Sequence, residues 1–141
     1  MEEIFAYVKP AMAIVPVSKS AAAIAATAVD GNGYSRAAFL LLTGAFGTGA
    51  GISCAVTESA TSGGSYTAHS PAAALTLITS TGASKIYAID VGINPDKPYM
   101  KLYGTAGTAA VLHGAVALLY RGNFVDPNLD TVLSQYVRKI S

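Results

Sequence analysis

Hydrophobic and polar positions alternate along much of this chain, most clearly between Pro98 and Gly122 (PYMKLYGTAGTAAVLHGAVALLYRG). From Tyr99 to Tyr103, Met100 and Leu102 face one way while Tyr99, Lys101 and Tyr103 face the other, the period-2 pattern of a half-buried strand. Gly104 to Thr108 is small and Gly-rich and reads as a turn. Ala110 to Tyr120 then carries no formal charge. Leu112, Val116, Leu118 and Tyr120 share one face, and Val111, His113, Ala115, Ala117 and Leu119 share the other. With both faces apolar, this predicts a strand in the middle of a sheet, covered on both sides. The stretch as a whole reads as a hairpin that forms the central pair of the fold.

The same period recurs upstream. Residues 1–18 read as an N-terminal arm or edge strand, with Pro10 and Pro16 bracketing Ala11 to Val15. Lys19 to Val29 is Ala-rich, which favours helix. Only Ile24 and Val29 supply bulk there, so a strand is the favoured reading. Asp30-Gly31-Asn32-Gly33 is a turn, because these residues tolerate positive φ. It begins like a calcium loop, but Leu41 stands where the bidentate Glu would be. Tyr34 to Thr43 reads as a strand, and Gly44 to Gly51 as a hairpin loop. No Gly-Lys-Ser/Thr and no helix follows that loop, which argues against a phosphate cradle. Ile52 to Glu58 alternates with Ile52, Cys54 and Val56 inward. Ser65 to His69, Ala72 to Thr79 (with Leu75 and Leu77 on one face) and Lys85 to Val91 complete the strands.

After Gly122 the period changes. Leu129, Val132, Leu133, Tyr136, Val137 and Ile140 recur at helical spacing, behind Asp126 as N-cap and Pro127 at the first helical position. The pattern predicts a mainly β chain, an antiparallel β-sandwich of jelly-roll type, with one C-terminal amphipathic α-helix. Its divisions are an arm or edge strand over 1–18, a sandwich over 19–122, and a helix over 123–141 packed on the domain or a neighbour.

Composition narrows the function more than the fold. The chain has 141 residues, enough for one domain, and only 12% are charged against 52% hydrophobic. Net charge is +1 with no basic block, which argues against nucleic-acid binding. The uncharged run Ala106 to Tyr120 is shorter than the ~20 residues of a membrane helix and holds Gly107, His113 and Gly114, so no membrane span is expected. The single cysteine, Cys54, allows no internal disulfide and suits a reducing cytosol. Glu2 and Glu3 stand where a secretion signal would carry Lys or Arg.

Chemistry is sparse. There is no Gly-x-Ser-x-Gly elbow, and His69, His113 and Cys54 make no metal spacing. His113 reads as a packed residue bonded locally, Cys54 as a small core residue, and Asp30, Glu58, Asp90, Asp96 and Asp126 mostly as turn and cap residues. No catalytic, cofactor or metal residues are assigned, and no enzyme is expected. The polar handles left over are Tyr34, Arg36, Tyr99, Lys101, Tyr103, Arg121 and, on the helix, Tyr136. These are interface candidates, since Tyr and Arg bury area at low entropy cost and still bond at their tips.

The order of segments resembles a known family. Val29-Asp30-Gly31-Asn32-Gly33-Tyr34-Ser35 leads into an apolar strand and a Gly-rich loop. Thr57-Glu58-Ser59, Gly63-Gly64-Ser65-Tyr66-Thr67, Lys97-Pro98-Tyr99-Met100-Lys101-Leu102 and an Ala/Val-rich strand follow. Over Val29 to Gly122 this is similar to the small β-sandwich decoration or cement proteins of tailed bacteriophage heads, although Pro98-Tyr99-Met100 departs from that family's basic, aromatic, valine sequence. The resemblance implies a non-enzymatic virion protein. It would be made in the host bacterial cytoplasm and bound to the outside of the capsid, its partner the major capsid protein, as a dimer or trimer. The competing expectation is a tail or adhesion module binding a receptor or glycan through aromatics and carboxylates on its loops.

Overall fold

The computed structural model describes residues 8–70, 72–79 and 83–121 and the backbone of 135–139. Every regular element among them is a strand. The longest are β1 (Val8–Lys19), β4 (Arg36–Phe46), β9 (Ile86–Gly92) and β12 (Val111–Tyr120). With β13 (Gln135–Lys139) they form one five-stranded sheet, in the order β1-β12-β4-β9-β13. Its pairings are antiparallel except β9 with β13, which run parallel.

The remaining strands form two four-stranded sheets. One is β3 (Val29–Asp30), β10 (Tyr99–Tyr103), β6 (Ala55–Ser59) and β7 (Thr67–Ala68); the other is β2 (Ala22–Ala23), β11 (Thr105–Ala106), β5 (Gly51–Ile52) and β8 (Ile78–Thr79). Matching members of the two are neighbours along the chain. They are stitched at a kink where the Ile24 amide donates to the Gly104 carbonyl (3.0 Å) and the Ser53 amide to the Thr105 carbonyl (3.0 Å). A Cβ on Gly104 would overlap the Ser53 carbonyl, so only glycine lets the two backbones approach there.

One hydrophobic core draws on all three sheets. Phe39, Leu41, Ile89 and Leu119 come from the five-stranded sheet, Val29, Val56, Met100 and Leu102 from the second, and Ile52 and Ile78 from the third. Alternation explains the choice of face. On β12, Val111, His113, Ala115, Ala117 and Leu119 are buried, and on β10, Met100 and Leu102 are. Bulges in β1 between Met12 and Val17 bend that edge strand, so that Ile14 bridges to Ala26 in the second layer.

Several expectations are corrected. Pro98 to Gly122 is not a hairpin: β10 pairs with β3 and β6, β12 pairs with β1 and β4, and the supposed turn contains β11. Gly44 to Gly51 is likewise no hairpin loop, because β4 and β5 lie in different sheets. β12 is central, but its outer face is only partly covered; Leu112 is 46% exposed. Leu75 is buried while Leu77 is 63% exposed, so the two do not share a face. The Ala-rich stretch, by contrast, is extended at β2 and β3, in keeping with the favoured strand reading. β1 runs from Val8 to Lys19 at the edge of the five-stranded sheet and pairs with β12. Over Gln135–Lys139 the predicted helix is replaced by β13, each residue pairing with β9 from Tyr87 to Val91. The strand gives those backbone groups partners on a sheet edge that would otherwise lie open. The rest of the predicted helix and residues 1–7 lie outside the described residues.

Candidate functional site

β10 is flanked by β3 and β6 and presents one row of side chains away from the core. Pro98, Met100 and Leu102 are buried, while Lys97, Tyr99 and Lys101 are half-buried and Tyr103 is 65% exposed. The register sets Tyr99 opposite Asp30 and Ser59, Lys101 opposite Thr57, and Tyr103 opposite Ala55. Thr57 Oγ1 donates to the Lys101 carbonyl at 2.6 Å, fastening the middle of the row. Tyr66 adds a third ring: its hydroxyl donates to the Ser62 carbonyl at 2.7 Å, and Lys101 Nζ lies 5.4 Å from the ring centroid, a cation–π distance. Desolvation, then the nearby Tyr99, raises the Tyr66 phenol above its ordinary range. Lys97 Nζ reaches Thr67 Oγ1 at 3.3 Å. The face therefore carries three tyrosines around two ammonium groups.

The other expected interface residues are not all brought to this face. Tyr34 stacks with Arg121, whose guanidinium carbon is 5.7 Å from the ring centroid and whose Nε donates to the Gly33 carbonyl at 2.8 Å. That pair sits on the turn that the sequence predicts, where Asp30 Oδ1 accepts from the Asn32 amide (3.0 Å) and side chain (2.7 Å) and Gly33 has φ +88°. Arg36 is 4% exposed. Its Nε contacts Asp90 Oδ1 at 3.2 Å, and Tyr120 donates to Asp90 Oδ2 at 2.5 Å. Tyr136 lies in β13 opposite Ala88.

The buried polar groups differ from expectation too. Glu58 is 2% exposed and His69 1%; His69 Nε2 lies 2.7 Å from the Gly92 carbonyl and 3.8 Å from Glu58 Oε2, which has no hydrogen-bond partner. Glu58 is thus a core residue and not a turn residue. The parity that turns Ile52, Cys54 and Val56 inward turns Glu58 inward as well, and that signal was available in the sequence. His113 Nδ1 bonds the Val111 carbonyl at 2.9 Å, but Nε2 is unpartnered, so only half of its local bonding is present. Cys54 is buried, which pushes its thiol up to about 12 and leaves it inert. Among the described residues no three His, Cys, Asp or Glu side chains converge as metal ligands.

A second surface feature lies on the opposite layer. A groove of about 420 Å³ on the five-stranded sheet is lined by apolar side chains, among them Met12, Pro16, Leu42, Leu112 and Val116.

Comparison with family models, with curated proteins and with solved structures gives no match.

Proposed function

We propose that this chain is a structural protein of a tailed-bacteriophage virion, a decoration or cement protein. It is made in the host bacterial cytoplasm and binds the outside of the major capsid protein lattice as a homo-oligomer, a dimer or trimer. The observation that carries the reading is the strand order. β1-β12-β4-β9 and β3-β10-β6-β7 both contribute to the shared core, and the chain passes repeatedly from one group to the other. That order supports a jelly-roll reading, a double-sheet architecture common among viral shell proteins. The face of β10 supplies a rigid row of Tyr and Lys for a protein partner, and binding many copies to a lattice adds avidity to modest single contacts.

The test is to mix the purified protein with capsids stripped of it and sediment them. Binding at fixed stoichiometry, with a rise in the temperature at which capsids disrupt, is the expected result. Failure to co-sediment sinks the reading.

A further inference from the structure

We infer that the Lys97–Lys101 side of the β10 face takes an extended, carboxylate-bearing segment of the capsid protein. The inference rests on the decoration reading and adds to it the chemistry of the partner. Lys101 lies in β10 and Lys97 just before it, at the end of the turn where Lys97 bridges Asn94. Both converge on one neighbouring stretch: Lys97 Nζ bonds Thr67, and Lys101 Nζ stands over Tyr66. Neither meets a carboxylate among the described residues, where the Arg or Lys pair with a carboxylate is the buried Arg36–Asp90.

The charged neighbours do not neutralise this spot. Glu58, on β6 beside β10, points into the core. Asp30 faces Tyr99 from β3, on the other side of the strand, with Oδ1 already holding Asn32. Asp96 is exposed in the preceding turn, where its amide bonds the Asn94 side chain. On the β6 side the row meets the hydroxyls of Ser59 and Thr57. Two ammonium groups, one against a tyrosine ring and one on a threonine hydroxyl, are complementary to carboxylates carried on a chain. An extended acidic segment matches the row because its alternate side chains advance at the same spacing as those of β10.

Two measurements test this. In the first, co-sedimentation with stripped capsids is titrated across salt for the wild type and for Lys97→Ala/Lys101→Ala, each shown to be folded by its thermal transition. The double variant should bind about tenfold or more weakly and lose most of the salt dependence. Unchanged affinity and salt slope, with the wild type still bound, overturns the acidic-segment inference and leaves the decoration reading standing. The second needs no capsid: a peptide of alternating Glu and Ser is titrated into labelled protein and followed by NMR. Shifts confined to Tyr66, Lys97, Tyr99 and Lys101, absent in the double variant, are expected. No shift at these residues, or an equal response to inorganic phosphate, overturns the inference even if the wild type fails to sediment with capsids.

Discussion

β10 and β12 are separated only by residues 104–110, yet they belong to different sheets and present opposite kinds of outer face. Both bury one parity: Met100 and Leu102 on β10, Val111 to Leu119 on β12. On the other parity β10 shows Tyr99, Lys101 and Tyr103, while β12 shows Leu112, Val116 and Leu118, with Tyr120 at the end over the Arg36–Asp90 pair. A strand with one polar face declares its orientation, whereas a strand with two apolar faces does not. The difference also separates two kinds of surface. The β10 face suits a polar, charge-bearing partner, and the β12 face is apolar at one end and closed by a buried charge cluster at the other.

The sharpest break in the comparison is at Gly104, where β10 ends and the chain crosses the kink. Gly104→Ala drives a methyl into the Ser53 carbonyl, and backbone cannot step aside as a flexible side chain can. A loss of about 3 kcal/mol or more, or no folded protein, is expected in chemical denaturation. Gly114, within β12, is a milder case, since a Cβ there meets Pro16 at 3.0 to 3.3 Å. Gly114→Ala should cost clearly less, and equal losses at the two sites would refute the view that the kink is the tighter constraint.

Next in size is the cluster at the end of β12. Asp90 is 4% exposed and accepts from Arg36 and Tyr120. Asp90→Ala leaves the guanidinium buried without its carboxylate, and about 3–5 kcal/mol of destabilisation is expected by denaturant melting. Met100→Ala, which opens a cavity behind β10 at a site 1% exposed, should cost about 2–4 kcal/mol in the same assay.

What could be read from the sequence follows the same divide. The alternation of β10, its inward Met100 and Leu102, and the Asp30–Gly33 turn were legible because each is a local pattern with a local cause. The separate partners of β10 and of β12 were not, because a short Gly-rich link looks alike whether it closes a hairpin or carries the chain from one sheet to another. Arg36 looked like an interface residue because its partners, Asp90 and Tyr120, lie 54 and 84 positions away in sequence. At Gln135–Lys139 the helical spacing misled for a related reason. Edge pairing with β9 decides the backbone at Gln135–Lys139, and a hydrophobic period does not record which edges are vacant.

Alkaline titration probes the Tyr120 end of β12. Desolvation, and then the hydrogen bond to Asp90, raises the phenol to about 12. The unfolded chain ionises it near ~10. A group whose folded value is raised keeps its stabilising contribution below the unfolded value and loses it as pH rises toward the folded one. The stability difference between wild type and Tyr120→Phe should therefore be constant up to about pH 10 and shrink between there and about 12. A difference that stays constant through that range would show that the phenol is not held neutral by its burial and by Asp90.

The smallest effect is expected on the apolar part of the β12 face, and it sharpens the comparison most. Leu112 is 46% exposed and lies over Gly44, on the side away from the core. If that face is open in the free chain, Leu112→Ser removes little buried area and stability should change by less than about 1 kcal/mol. The same change should lower binding of a hydrophobic dye, because Leu112 lines the groove with Met12, Leu42 and Val116. Lys101→Ala on the β10 face should leave dye binding as it was. A stability loss at Leu112 comparable with that of Met100→Ala would mean that the outer face of β12 is packed as tightly as the inner one. The contrast between a polar outer face on β10 and an open apolar one on β12 would then fail.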